Sequence, residues 1–188
     1  MKKCVKKEIE KLIKKYELKL SEDFIREFQD KMNWFDISWK QKLSEKFIIE
    51  FQNEISWEFI STYQKLPENF IRKFQDKVDW ERISENQKLS EKFIIEFQDK
   101  VNWECISMDQ KLSENFIRKF KDRVSWDGIS YYQKLSKDFI LEFKDKVDWY
   151  SIKRYQKITK KDIERYELEK LEKLEKTRIK NKFKLIRF

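Results

Sequence analysis

The residues that could carry out chemistry are 35 Asp and Glu residues and two cysteines, Cys4 and Cys105, in a chain without histidine. Without histidine there is no common general base, no histidine-dependent triad and no histidine metal ligand. Two distant cysteines do not complete a zinc site, and the single glycine, Gly128, does not make a phosphate-binding loop. The carboxylates recur at regular intervals, which is typical of solvated helix faces. We therefore expect no enzyme, no catalytic residue, no metal site and no cofactor.

The elements that position these side chains form a tandem repeat. The sequence places a tryptophan every 23 residues, and Leu, Phe and Ile recur with the same spacing. One unit reads approximately LSEDFIREFQDKVNWxxISxxQK, and nothing is inserted between units. A fixed period of this length predicts a repeat architecture. The tryptophans are Trp34, Trp57, Trp80, Trp103, Trp126 and Trp149.

Each unit predicts two helices, called helix A and helix B. In the first unit the apolar residues Phe24, Ile25, Phe28 and Met32 lie on one stripe of a helix A of about 11 residues. A serine precedes helix A in five units, whereas Pro67 takes its place in the third; both types are typical of a helix start. Helix B begins at each tryptophan, which always follows Asn, Ser or Asp. It should extend for about eight residues.

One such hairpin has too few apolar residues to fold alone, so stacking on its neighbours is required. The sequence thus predicts an all-α fold, an α-solenoid of six 23-residue helix-turn-helix repeats with N- and C-terminal capping helices. Residues 1–19 form a basic N-terminal capping helix and residues 20–157 the six repeats. Residues 158–188 are expected to hold a degenerate seventh repeat, a C-terminal capping helix and a basic tail. No role is predicted for residues 178–188.

The repeat unit resembles short tandem-repeat proteins of giant DNA viruses of amoebae. The resemblance covers residues 20–156 and rests on the LSEDFIREFQDKVNW-type unit, in a composition rich in Lys, Ile, Phe and Asn. It implies a viral protein that acts inside a host cell. It implies no activity and no site residues.

The charge distribution bears on the choice of partner. The formal net charge is +9, but residues 1–19 and 157–188 together carry 20 Lys or Arg against nine Asp or Glu. The repeats themselves are therefore nearly neutral, which weighs against an extended nucleic-acid footprint. The sequence shows no secretory signal, no apolar run long enough to span a membrane and no disulfide framework. We expect an intracellular location, in the cytoplasm of a host cell.

The outer positions of helix B vary between repeats and are the candidate site. Eight of these 24 positions are aromatic, although such positions often vary only because they are solvated. Exposed aromatic residues along one ridge are typical of protein interfaces. An alternative is that the rings pack on the next helix. The predicted partner-binding residues are Phe35, Trp39, Phe59, Tyr63, Arg82, Met108, Tyr131, Tyr132, Tyr150 and Tyr155.

The constant positions leave two further choices. The tryptophan and phenylalanine ladders resemble base-stacking platforms, but their helical spacing with Ile and Leu favours a core. The constant glutamines, from Gln41 to Gln156, either form a hydrogen-bonded ladder or cap helix B, and their position favours a cap. One position of helix A alternates between repeats: it is arginine in odd repeats, as at Arg26, and aliphatic in even repeats, as at Ile49. This two-repeat rhythm fits either duplication of a repeat pair or a position that only even repeats bury.

Two functional hypotheses follow, with self-assembly by end-to-end stacking as a weaker third. In the first, helix B binds a partner protein or peptide. In the second, its variable residues read bases of a nucleic acid while the basic termini contact phosphates. The oligomeric state and the identity of the partner are not predicted.

Overall fold

The computed structural model describes the backbone of residues 19–185 and the side chains of residues 19–179. In this part of the chain all regular structure is helical and there is no strand. Helices recur at the 23-residue period and pack on their neighbours in sequence. The predicted fold class, an all-α repeat of the α-solenoid type, is confirmed. The predicted N-terminal capping helix lies outside the described residues, apart from Lys19.

The chain divides into two compact units, residues 1–102 and 103–188. In the first unit the helices A are α1 (Glu22–Glu27), α3 (Glu45–Glu50), α5 (Glu68–Lys73) and α7 (Glu91–Glu96). Its helices B are α2 (Trp34–Lys40), α4 (Trp57–Tyr63) and α6 (Trp80–Asn86). In the second unit the helices A are α9 (Glu114–Lys119) and α11 (Lys137–Glu142), and the helices B are α8 (Trp103–Asp109), α10 (Trp126–Tyr132) and α12 (Trp149–Ser151). A long helix, α13 (Lys160–Leu185), follows.

Helix A is shorter than its apolar stripe predicts. It has six residues instead of about 11, because the phenylalanine that follows it, such as Phe51, leaves the helical conformation with φ −106° and ψ 27°. The chain then makes a separate turn in which the N–H of Ile55 donates to the carbonyl of Phe51. In the first repeat this turn is a 3₁₀ helix, Gln29–Lys31. The stripe is therefore continuous in space although the helix is not, since Phe51 and Ile55 are both buried.

The predicted helix starts are confirmed. The Oγ of Ser44 accepts the N–H of Phe47 at the start of α3, and the Oδ1 of Asn33 accepts the N–H of Phe35 at the start of α2. These bonds satisfy backbone donors that have no partner within the helix. Helix B ends at the residue before the constant glutamine, one residue earlier than predicted.

The core lies between helices A and B of successive repeats. The isoleucines of helix B, including Ile37 and Ile60, are at most 1% exposed, and the phenylalanines of helix A are buried beside them in every repeat after the first. The first five constant tryptophans pack on the phenylalanine that follows the next helix A, as where the Trp57 and Phe74 ring centroids lie 5.1 Å apart. No single repeat contains both halves of this contact, so burial depends on the neighbour.

Two polar ladders also join successive repeats. The Oγ of Ser38 donates to the Trp34 carbonyl and accepts the N–H of Ser56 in the next repeat. The Gln64 side chain donates to the Gln41 carbonyl of the preceding repeat and accepts the N–H of Leu43. Gln64, Gln87 and Gln133 therefore form a ladder, and each of the three caps the preceding helix B instead of its own. All of these side-chain atoms are buried with hydrogen-bond partners.

The two-repeat rhythm corresponds to an ion pair. In the first unit Arg72, in an odd repeat, pairs with Glu96 in the following even repeat at 2.9 Å, and its guanidinium lies 5.1 Å from the centre of the Phe93 ring. Arg26 and Glu50 repeat this arrangement, as do Arg118 and Glu142 in the second unit. The aliphatic residues at the same position in even repeats are half-buried. The repeated structural unit is accordingly a pair of hairpins.

The helices at the C-terminal end differ from those of the other repeats. Helix α12 has three residues and continues as a π-helical turn, Ile152–Gln156, after which Lys157 adopts a left-handed conformation with φ 57°. Helix α13 begins with reciprocal bonds between Thr159 and Asp162 and packs on α11 through Ile163, which is buried. Its backbone is helical as far as Leu185, so it includes much of the segment without a predicted role. Within the described residues, no helix combines the length and apolar character needed to cross a membrane.

Candidate interaction surface on helix B

The constant aromatic ladders are occupied by contacts within the protein. The Trp57 indole N–H donates to the Gln52 carbonyl at 3.0 Å, and its ring contacts Phe74. The ammonium group of Lys77, from the next repeat, lies 5.9 Å from the same ring. Similar cations approach the rings of the later tryptophans. These rings are therefore half-buried parts of the packing and not open stacking platforms.

The variable residues of α2 and α4 form a cluster of four rings, which we call the N-terminal aromatic cluster. Its members are Phe35, Trp39, Phe59 and Tyr63. Phe35 and Phe59 meet edge to face at 4.4 Å between centroids, and Phe59 and Tyr63 stack at 5.9 Å. Trp39 lies 6.4 Å from Phe59 and 6.3 Å from Tyr63. The cluster exists because residues four apart share a helix face and successive helices B are parallel neighbours.

This cluster remains open to solvent despite its internal contacts. Phe35 is 56% exposed, Trp39 45% and Tyr63 53%, whereas Phe59 at the centre is half-buried. The rings thus pack on one another, as the alternative interpretation expected, and still present a surface. A large apolar surface that the other described residues leave uncovered is a common feature of protein interaction sites.

A second cluster, the tyrosine cluster, lies on α10 and the π-helical turn. The Tyr131 ring contacts Tyr132 at 4.3 Å and Tyr155 at 4.0 Å. Arg154 joins Tyr150 to the group, since it donates to the Tyr150 hydroxyl at 2.8 Å and its guanidinium lies 5.7 Å from the Tyr155 ring centre. Hydrogen bonding to Tyr131 and partial burial raise the pKa of Tyr155, and the bond to Tyr150 raises the pKa of Arg154.

Two of the predicted partner-binding residues, Arg82 and Met108, belong to neither aromatic cluster. Arg82 on α6 is half-buried and pairs with Glu85 at 3.0 Å; this bond raises the pKa of the arginine. Met108 on α8 is half-buried against α10, and a Cβ atom at Gly128 would lie 3.0 Å from its Cγ. The absence of a side chain at Gly128 therefore makes room for Met108.

The predicted partner-binding residues did not include the basic side chains beside the tyrosine cluster, although Lys157, Lys160 and Lys161 belong to the basic terminus of the nucleic-acid hypothesis. Lys134, Lys153, Arg154, Lys157, Lys160 and Lys161 are all exposed, and we call them the basic patch. A signal was present in the sequence, because Lys153 stands where the first five repeats have a constant serine. The substitution at Lys153 was not used, because constant positions were expected to serve only packing.

Potential metal ligands are dispersed. Among the described residues, no three His, Cys, Asp or Glu side chains come close enough together to hold a metal ion. Cys105 is half-buried and forms no disulfide within the described part of the chain.

Comparison with known proteins identifies no relative. No protein-family model matches the chain, and no curated protein or solved structure is significantly similar to it.

Proposed function

We propose that this chain is a non-enzymatic repeat scaffold that binds a partner protein or peptide through the variable residues of helix B. The observation that supports the proposal best is the N-terminal aromatic cluster. It combines mutual ring contacts with exposures of 45–56% for Phe35, Trp39 and Tyr63. Similar rings at the constant positions are covered by neighbouring repeats, whereas these are not.

The physical reason is that aromatic side chains bury much area at a small entropic cost. Each ring has only two rotatable side-chain bonds, and the contacts among Phe35, Phe59 and Tyr63 restrict those bonds before a partner arrives. Binding to such a preorganised surface loses less conformational entropy. Aromatic anchors at the centre of an interface often contribute 2 kcal/mol or more each, roughly, to the binding free energy.

The absence of histidine and the single glycine support the non-enzymatic part of the proposal. From the resemblance to tandem-repeat proteins of giant viruses, we propose that this binding occurs inside a host cell and that the partner is a host or viral protein.

The test is an affinity capture from an amoebal lysate, treated or not treated with nuclease. The bait is the full chain or a variant with Phe35→Ala, Trp39→Ala, Phe59→Ala and Tyr63→Ala. The matched control carries Glu45→Ala, Lys46→Ala, Glu54→Ala and Lys65→Ala, four exposed polar changes in the second repeat. Circular dichroism verifies that each bait keeps its helix content.

We expect the full chain to capture a lysate protein whether or not the lysate is treated with nuclease. The control bait should capture the same protein, and the aromatic variant should not. The captured protein, once purified, should bind the chain directly. Because Phe59 is half-buried, a double variant with only Phe35→Ala and Tyr63→Ala separates binding from folding. Equal capture by all baits would refute the proposed surface. If capture is lost after nuclease treatment, and also when the basic residues of 1–19 and 157–188 are replaced by neutral ones, the nucleic-acid hypothesis would instead be favoured.

A further inference from the structure

The last repeat replaces a buried serine with a lysine. Ser38, Ser61, Ser84, Ser107 and Ser130 have no measurable exposure, and each accepts an N–H from the following repeat. The equivalent residue in the sixth repeat is Lys153. A lysine at so closed a position would bury an unpaired charge, which is strongly unfavourable.

The backbone changes where this lysine occurs. Helix B stops being α-helical after Ser151, and the π-helical turn Ile152–Gln156 leaves the side chains of Lys153 and Arg154 exposed. Lys157 then has φ 57°, a left-handed conformation that non-glycine residues seldom adopt. Single π-helical turns often occur at functional sites, whereas a left-handed residue at a helix end, as at Lys157, is a common way to terminate the helix.

Two surface clefts lie on either side of this turn. One, of about 480 Å³, is lined by Tyr131, Tyr132 and Tyr155 together with Lys134. The other, of about 370 Å³, is lined by Lys153, Lys160 and Lys161 around Trp149 and Thr159. No carboxylate lines either cleft. Both are therefore open, positively charged recesses with aromatic walls.

Two carboxylates close to the basic patch in sequence already have partners. Asp148 accepts the N–H groups of Tyr150 and Ser151, and Asp162 bonds to Thr159 and Arg165. Asp145, Glu164 and Glu167 line a separate cleft beside Lys160, so the acids of this region lie outside the walls of the two clefts described above. A ligand with its own negative charges would complete this electrostatic arrangement.

The tyrosine rings favour a peptide over a nucleic acid as that ligand. Tyr131 is flanked by the rings of Tyr132 and Tyr155, and the ammonium of Lys160 lies 5.5 Å from the Trp149 ring centre. The rings of Tyr131 and Trp149 are accordingly less available for stacking a base, whereas Tyr132 and Tyr150 keep exposed ring surface for an apolar side chain. Arginine, lysine and tyrosine side chains in reach of a cleft can donate hydrogen bonds to carboxylates.

We propose that the basic patch and the tyrosine cluster together bind an acidic peptide segment of the partner protein, with Glu or Asp side chains contacting Arg154 and the lysines and an apolar side chain in the tyrosine-lined cleft. This inference rests on the proposed function and specifies the chemistry of a second contact region.

The test measures fluorescence anisotropy of labelled short peptides with the full chain. One probe alternates Glu with Leu and Tyr, a second has Gln in place of every Glu, and a third is a single-stranded oligouridylate. The variant carries Lys134→Glu and Arg154→Glu. Its matched control carries Lys119→Glu and Lys121→Glu, two exposed charge reversals on α9 and the turn after it.

We expect the Glu peptide to bind at least about tenfold more tightly than the Gln peptide, and the variant to lose at least about tenfold in affinity, since charge-assisted hydrogen bonds contribute most of the difference. The control should keep the wild-type affinity. A milder variant with Lys134→Gln and Arg154→Gln should weaken binding in the same direction if the larger change disturbs folding.

Equal affinity for the Glu and Gln peptides, or equal loss in the control, would overturn the inference. Tighter binding of the oligouridylate, lost in the variant, would assign the patch to nucleic acid. Neither result touches the N-terminal aromatic cluster, whose capture experiment decides the proposed function separately.

Discussion

A buried serine in each regular helix B accepts a backbone N–H from the next repeat. In the first repeat Ser38 donates within its helix and accepts the N–H of Ser56 from the next repeat. A small hydroxyl is well suited here, because the position is fully closed and both partners belong to the backbone. At the residue scale, the interface between repeats therefore depends on polar atoms as much as on apolar ones.

Replacing Ser38 with Ala should lower the free energy of unfolding by about 1–3 kcal/mol, because the Ser56 N–H loses its acceptor at a partly buried site. Urea denaturation followed by circular dichroism measures this. Thr62→Ala is the matched control: Thr62 bonds only to the Glu58 carbonyl in its own helix and is more exposed. The control should change stability by less than about 0.5 kcal/mol. Equal effects of the two changes would show that the bond between repeats contributes nothing.

At the element scale, odd and even hairpins are not interchangeable. Arg26 of the first repeat pairs with Glu50 of the second, whereas the third repeat has Lys73 at the position of Glu50. The N–H of Ser44 likewise donates to Glu22, and the corresponding residue of the third repeat is Pro67, which has no N–H. Single-residue differences between odd and even repeats thus determine which neighbouring hairpin can form these ion pairs and hydrogen bonds.

Deleting residues 43–65 should make this matching visible. The deletion keeps the 23-residue register but places Arg26 opposite Lys73, two like charges in place of an ion pair. Adding Lys73→Glu to the deletion should restore about 0.5–1 kcal/mol of stability, within the range of partly exposed ion pairs, and less at high salt. The same Lys73→Glu change in the full chain is the control, because it meets no arginine of a preceding odd repeat there. If Lys73→Glu raises the stability of the deletion variant and of the full chain by the same amount, the two-repeat rhythm reflects duplication alone.

Helix α13 should be sensitive to acid. Its contacts with Asp138 on α11 are hydrogen bonds from Lys170 and Tyr166, and these, the lysine bond first, hold the pKa of the carboxyl below its ordinary value of 3.8. A lowered folded-state pKa means that the contribution is present at neutral pH and is lost as pH falls through that pKa. Hydrogen exchange by NMR should show α13 losing protection below about pH 4, before the repeats do.

The variant Asp138→Asn should have weaker protection of α13 at neutral pH and a smaller further loss on acidification. Glu164→Gln, an exposed change on α13 itself, is the control and should retain the wild-type profile. Protection of α13 that is independent of pH in the wild type would contradict this assignment of its packing.

At the scale of the whole molecule, stability has to come from stacking. The buried glutamine, serine and aromatic contacts described above all join one repeat to the next, so a single repeat contains donors and rings without partners. Helix A, with six residues, is also far too short to be stable alone. Folding is therefore expected to depend on the number of repeats.

A peptide of residues 66–88 should have little helix, and chains of two, three and four repeats starting at residue 20 should gain helix content and thermal stability progressively. Circular dichroism of this series tests the expectation. A four-repeat chain in which Gln64 and Gln87 are both changed to Leu is compared with the unchanged four-repeat chain. The difference in thermal stability measures the contribution of the glutamine ladder. Substantial helix in the single-repeat peptide would show that the hairpin folds without neighbours.

The sequence alone determined the features that depend on nearby residues. The 23-residue period, the capping by Ser44 and Asn33 and the extent of helix B could all be predicted, because capping and helical periodicity involve atoms within a few residues of one another. The variable aromatic residues of helix B could also be singled out, since their types differ from the polar residues on the exposed positions of helix A. Whether they bind a partner stays a prediction.

Only the tertiary structure decided which distant residues meet. The end of helix A at Phe51, the pairing of Gln64 with Leu43 and the contact of Phe35 with Phe59 depend on how one repeat stacks on another. The π-helical turn Ile152–Gln156 likewise appears only in the tertiary structure. Local chemistry specifies helices and where they start, whereas the distances across repeats follow from packing, which no short stretch of sequence contains.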